Sequence, residues 1–237
     1  MADVPDRQKV ANLEALRTAG ESISTVHLSN HLQAGDAPEP RVNLAAWREC
    51  TEVEGPGRRF ALWTQGCLIR CQNCCNPELF PFVPKHLMPV RELLEQIERA
   101  SRQFDLEGIS FLGGEPTHQA PGLSIVAQHC QAMGLSVMLF TGYTMEQLQA
   151  VQLPGVAELL QYCDIVVDGP YKCDLPDYER NWVGSTNQRF HFLTNRYQPG
   201  IEYDGRYRPA VEFRVYNSGD IIFNGSPIRN MLRTYTR

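Results

Sequence analysis

Apolar and polar positions follow two periods along this chain, and the two alternate. Phe60-Ala61-Leu62-Trp63-Thr64 reads as a strand, and Val90 to Phe104 places Leu93, Leu94, Ile97 and Ala100 on one helical face. Ile109 to Leu112 is a buried strand, Gln119 to Met133 a helix, and Leu135 to Phe140 a strand again. Thr144 to Val151 follows as a helix with Thr144 as its cap, and Ile165-Val166-Val167 as a strand. Such strand–helix–strand units predict a parallel sheet with right-handed crossovers. Further strands are expected at Arg189 to Leu193, Val211 to Tyr216 and Asp220 to Phe223. The last two, split by Asn217-Ser218-Gly219, form a hairpin pattern.

The first 40 residues look separate. Arg7 to Thr18 places Val10, Leu13 and Leu16 on one broad helical face, although a frayed tail fits equally well. Ala34-Gly35-Asp36-Ala37-Pro38-Glu39-Pro40 reads as a linker. The division expected is residues 1–40 as extension and linker, and 41–237 as the main domain.

Composition narrows the class. The chain is 43% hydrophobic and 21% charged, with net charge −5, which gives no general pull toward nucleic acid or an anionic membrane. No apolar run reaches the length of a membrane span, and the start lacks the basic and apolar regions of a signal peptide. Eight cysteines in that setting point to a reducing cytoplasm and to metal or catalytic chemistry rather than disulfides.

Three of those cysteines lie in Gln65-Gly66-Cys67-Leu68-Ile69-Arg70-Cys71-Gln72-Asn73-Cys74, spaced C-x3-C-x2-C. Cys67, Cys71 and Cys74 can hold three irons of a cubane [4Fe–4S] cluster and leave the fourth without a protein ligand. Structural zinc would need a fourth ligand. Cys75, adjacent to Cys74, is poorly placed for the same tetrahedral ion, and the other cysteines form no second close pair.

Ligands of parallel α/β sheets bind where strands end and helices begin. The first four predicted strands each run into an unusual segment: Gln65-Gly66-Cys67, Gly113-Gly114-Glu115-Pro116, Thr141-Gly142-Tyr143 and Asp168-Gly169-Pro170-Tyr171. Gly113 and Gly114 allow close backbone approach, and Glu115 can accept a hydrogen bond from a ligand ammonium. Thr141 and Tyr143 offer hydroxyls and a flat ring for an adenine or ribose. Asp168 reads equally as a helix cap or a ligand contact.

With these residues in view, the sequence resembles the radical S-adenosylmethionine superfamily, and within it the activating enzymes of anaerobic ribonucleotide reductase. The likeness runs over about residues 53 to 227. It includes Val53-Glu54-Gly55-Pro56-Gly57-Arg58-Arg59, the three-cysteine motif, Gly113-Gly114-Glu115-Pro116-Thr117 and the subfamily string Gly184-Ser185-Thr186-Asn187-Gln188-Arg189. The resemblance implies a partial triosephosphate-isomerase-type (β/α) barrel carrying an N-terminal extension. It implies a [4Fe–4S] cluster and S-adenosylmethionine, with Gly114 and Glu115 holding the methionine end and Asn73 and Cys74 near the adenine. It further implies an electron from a ferredoxin or flavodoxin, cleavage to a 5′-deoxyadenosyl radical, and a glycyl radical enzyme as partner. A peptide, nucleotide or small metabolite as substrate is the alternative within the superfamily, and a non-catalytic metal-binding scaffold the alternative outside it. The chain departs from the pattern at Glu54, where aspartate is usual, and at Cys75, where an aromatic residue is usual.

Overall fold

The computed structural model describes residues 39–207, 211–215, 217–219 and 221–225. The expected Arg7–Thr18 helix lies outside them. The chain enters with a long strand, β1 (Arg41–Thr51), followed by β2 (Arg59–Thr64) and a short edge strand, β3 (His86–Pro89). Helices α1 (Val90–Phe104) and α2 (Ala120–Ala132) flank β4 (Gly108–Gly113). Next come β5 (Ser136–Phe140), α3 (Met145–Val151), α4 (Val156–Gln161), β6 (Ile165–Asp168) and β7 (Arg189–Phe192). A separate hairpin pairs β8 (Val211–Val215) with β9 (Ile221–Gly225).

The sheet runs β3-β1-β2-β4-β5-β6-β7. Strands β2, β4, β5 and β6 are mutually parallel, while β1, β3 and β7 pair antiparallel at the flanks. The α/β expectation holds, but the sheet does not close, and β3 and β7 are its two edges. No helix among the described residues is long and apolar enough to cross a membrane.

The pattern explains the layering. Phe60, Leu62, Ile109, Phe111, Val137 and Leu139 alternate along β2, β4 and β5 and form one core with Leu93, Ile97, Leu123 and Val126 from the helices. Residues of all four helices enter this same core, so they share one side of the sheet. On the opposite side Met138, Ile165, Val167 and Val183 make a smaller cluster, joined by Trp182, Phe190 and Phe192. Helix α1 buries the stripe Val90, Leu93, Ile97 and Ala100 and stops at Asp105, whose φ of 50° is left-handed. Thr144 caps α3 as expected, in a capping box with Gln147.

Three elements were not legible in the periodicity. In β1, Val42 and Leu44 alternate, but a register shift between Leu44 and Ala46 breaks the period-two pattern. Strand β3 is only four residues long with two of them exposed, and α4 is a six-residue helix.

Arg59 closes the N-terminal end of the parallel strands. Its side chain is fully buried, and neutral oxygens accept from all of its N–H groups. Nε donates to Ser110 Oγ at 2.7 Å, Nη1 to Pro56 O and Ser136 Oγ, and Nη2 to Ile109 O and Ser136 O. The β8–β9 hairpin docks beside the end of β1 through polar groups. Thr51 Oγ1 donates to Glu212 at 2.5 Å, and Asn224 Nδ2 and Gly225 N donate to Glu54 Oε1 at 3.2 and 2.7 Å.

Candidate cluster and cofactor site

Because β2, β4, β5 and β6 are parallel, the four segments that follow them lie at one edge of the sheet. Hydrogen bonds chain these segments in order. Gly114 N donates to Thr64 O at 2.8 Å, and Glu115 N to Gly66 O at 2.9 Å. The Glu115 carboxylate then accepts from Thr141 Oγ1 and from Gly142 N, both at 2.9 Å. Finally Thr141 N donates to Val167 O, and Gly169 N to Tyr143 O, both at 2.9 Å.

The cysteine loop is tied down at its stem, where Gly66 N donates to Leu79 O at 2.9 Å and Cys67 N to Phe80 O at 3.1 Å. Within it, Arg70 and Asn73 adopt left-handed φ of 50° and 55°, and Cys74 N donates to Cys71 O at 3.2 Å. The chain therefore turns sharply between successive cysteines. Cys67 is buried, Cys71 and Cys74 are half-buried, and Cys75 is exposed. None of the eight cysteines is in a disulfide.

Among the described residues, no three His, Cys, Asp or Glu side chains gather as the ligand set of a single metal ion. A closed structural zinc site of the usual kind requires such a gathering. A cubane cluster asks for something else, because each thiolate binds its own iron and the sulfurs stand apart around a bulky core. Cys67, Cys71 and Cys74, none of them in a disulfide, lie on one sharply turned loop.

The glycines at these strand ends are required by packing. A Cβ on Gly113 would stand 2.4 Å from Thr64 N, and one on Gly114 2.3 Å from Gly66 O. The end of β4 is thus pressed against the stem of the cysteine loop. A Cβ on Gly142 would meet Ile69 Cδ1 at 2.6 Å, so the third segment also abuts that loop.

Glu115 is 1% exposed. Oε1 accepts from Thr117 N, Thr117 Oγ1 and Thr141 Oγ1, whereas Oε2 accepts from Gly142 N only. Oε2 therefore retains an acceptor position. Burial holds its carboxyl above the usual carboxylate range, and the donors around it pull the other way.

Asp168 is drawn inward. It is fully buried and accepts from Met145 N at 2.7 Å and from Arg189 Nε and Nη2 at 2.9 and 2.5 Å. It thus accepts from the first amide inside α3, whose own cap is Thr144. The Gly184–Arg189 string holds this fourth segment in place. Asn187 Nδ2 donates to Pro170 O at 2.8 Å, and Gln188 Oε1 accepts from Gly184 N and Ser185 N.

Tyr143 is buried, with its hydroxyl 2.8 Å from His118 Nε2. Burial pushes the His118 imidazole down to about 4, so it is neutral at physiological pH. Neither His118 nor Gln119 stood out in the sequence. Gln119 accepts from Asn43 N at 2.6 Å and donates to Asn43 O and Gln65 O, joining β1 to the stem of the cysteine loop. The only available signal was position, directly after the Gly-Gly-Glu-Pro-Thr run.

Residues 53–191 match the family described as 4Fe-4S single cluster domain. The chain belongs to that family, and its relatives mark it as an activating enzyme of the radical S-adenosylmethionine type. It is 32% identical over 149 residues to the anaerobic ribonucleoside-triphosphate reductase-activating protein of Vibrio cholerae, covering 60% of this chain and 92% of that one. The protein of the same description from Salmonella typhimurium is 29% identical over 153 residues, with the same shares covered. A pyruvate formate-lyase-activating enzyme of Staphylococcus epidermidis is 35% identical over 92 residues, 38% of this chain and 37% of that one.

Proposed function

We propose that Cys67, Cys71 and Cys74 hold a [4Fe–4S] cluster whose fourth iron binds S-adenosylmethionine, and that the enzyme installs a glycyl radical on a partner resembling anaerobic ribonucleotide reductase. The observation that carries this reading is the hydrogen-bonded chain of four strand-end segments with the three-cysteine loop as its first member. When bound, the cluster and S-adenosylmethionine together supply a 5′-deoxyadenosyl radical able to remove hydrogen from carbon.

The chain's own residues bind and orient. Gly113 and Gly114 bring β4 against the cysteine loop, and Glu115 offers Oε2 to the ammonium of the methionine moiety. Asn73 and Cys74 lie in the loop expected beside the adenine. Thr141 acts through Glu115, Tyr143 is braced by His118, and Asp168 fixes the start of α3. These three support the pocket from behind.

Residues 1–40 are read as an extension, 41–237 as the catalytic domain, and the location as the cytoplasm. The decisive experiment is anaerobic reconstitution with iron and sulfide, then assay of 5′-deoxyadenosine and of a glycyl radical signal. An anaerobic ribonucleotide reductase would be present or absent. Four irons per chain, cofactor cleavage and a partner-dependent signal are expected. Cleavage without activation of any glycyl radical enzyme would overturn the partner, and zinc or no metal would overturn the chemistry.

A further inference from the structure

The segment from Pro81 to Leu87, which follows the cysteine loop, is exposed at every residue. Phe82, Val83 and Leu87 are 52%, 51% and 49% exposed, which is unusual for large apolar side chains so close together. They are also held rigidly. Asn43 Nδ2 donates to Val83 O at 2.8 Å, Lys85 N donates to Asn43 Oδ1 at 2.9 Å, and Gln65 Nε2 donates to Pro81 O at 2.7 Å. Phe82 lies against Gly66, the residue before Cys67, and its ring centroid is 5.6 Å from that of His118. The rim therefore touches the stem of the cysteine loop.

Its charge runs against the rest of the molecule. The whole chain carries −5, yet Arg41 and Lys85 border the apolar rim and exposed Arg70 lies in the adjoining loop, opposed there by Glu78. The Arg41 guanidinium sits over the rim, 3.4 Å from Leu87 O. A small, rigid apolar patch bordered by cations suits a brief encounter with an acidic partner: charge steers the approach, and limited area keeps the complex short-lived.

Resting on the function proposed above, we infer that this rim is the docking face for an acidic one-electron carrier protein, of flavodoxin or ferredoxin type. The carrier gives up one electron, which passes to the cluster held by the adjoining loop, and no atom changes hands. An electron carrier needs only proximity to the cluster, whereas the carbon that loses hydrogen must reach the cofactor itself. A rim outside the loop answers the first need.

Val83→Asp and Lys85→Glu test this in the reconstituted full-length protein. The bonds that pin these residues use their backbone atoms, so the loop keeps its place in both variants. Cluster bleaching would be followed with reduced flavodoxin and, separately, with dithionite, and flavodoxin binding measured directly by calorimetry. Expected are a tenfold or greater loss of flavodoxin affinity and reduction rate, a loss mimicked in the unaltered protein by added salt, and unchanged reduction by dithionite. Undiminished flavodoxin binding by both variants would overturn the proposal. So would a change from dimer to monomer by light scattering, which would assign the rim to a second copy. Loss of protection in residues 1–38 by hydrogen exchange would assign it to the chain's own N-terminal segment. If instead no cluster assembles, or dithionite supports no cofactor cleavage, the failure lies in the function proposed above and not in the rim.

Discussion

Glu115 and Gly142 are joined by a 2.9 Å hydrogen bond from the glycine amide to Oε2, across 27 positions of sequence. Glu115→Gln swaps an acceptor oxygen for an NH2 group, so the Gly142 amide or the Thr117 and Thr141 donors lose their partner. Stability should fall by about 1–3 kcal/mol, the cost of leaving such a buried group unsatisfied. S-adenosylmethionine binding should weaken as well. Urea denaturation and equilibrium binding read the two effects separately.

Cysteine replacement should sort the loop into ligands and a bystander. Cys67→Ala, Cys71→Ala and Cys74→Ala should each lose most of the iron bound after anaerobic reconstitution. Cys75→Ala should retain it, together with the visible absorption of the cluster. Equal iron loss in all four variants would make Cys75 a ligand.

Gly114→Ala places a Cβ against a backbone carbonyl, Gly66 O, which cannot swing aside as a side-chain tip can. Relieving that contact must disturb the bond from Glu115 N to the same oxygen. Overpacking of this kind costs about 1–3 kcal/mol. The variant should fold and yet hold the cluster less firmly, as measured by iron release to a chelator. Gly142→Ala crowds the end of Ile69 and reaches Glu115 Oε2 only at an ordinary 3.7 Å, so it should be milder and should be rescued by Ile69→Ala.

Glu54 sets a pH dependence opposite to that of most carboxylates. Burial raises it from 4.5 to about 7, against the pull of its hydrogen bonds from Asn224 and Gly225. A folded-state value above the unfolded one means that its contribution is fully present below about pH 4.5 and is lost as pH rises through 7. Glu54→Gln keeps an acceptor oxygen and cannot ionise. It should be more stable than the parent at pH 8, by up to about 3 kcal/mol, with the gap closing toward pH 5. Paired denaturation curves at the two pH values measure this.

Arg59→Met removes a fully buried guanidinium together with the donors that Ser110, Ser136, Pro56 and Ile109 accept from. Losing these donors, although Ser110 Oγ keeps its bond to Glu54 O and Ser136 Oγ its bonds with Tyr197 and Glu107, should cost about 2–4 kcal/mol in denaturation. The effect should be on stability alone, with the cluster site, at the opposite end of the parallel strands, still able to take up iron.

Much of this protein was written locally. Strands β2, β4, β5 and β6 and helices α1 to α3 follow from periodicity, because burial on one face must repeat at the period of the element. The three-cysteine loop and the glycine-rich segment are contiguous strings, so their chemistry shows without a fold. What sequence could not supply was partnership across distance. Asp168 read equally as cap or ligand contact, and nothing in the string showed that the β6–β7 pairing sets Arg189 beside it or that the start of α3 lies within its reach. His118 and Gln119 carry no motif of their own, and their roles exist only because Tyr143, Asn43 and Gln65 converge on them. The long strand β1 stayed hidden behind its bulge. Hydrophobic period and cysteine spacing are properties of neighbours along the chain, so the sequence determined those. Which donors hold the Glu115 and Asp168 carboxylates depends largely on residues tens of positions apart, and only the tertiary structure decided it.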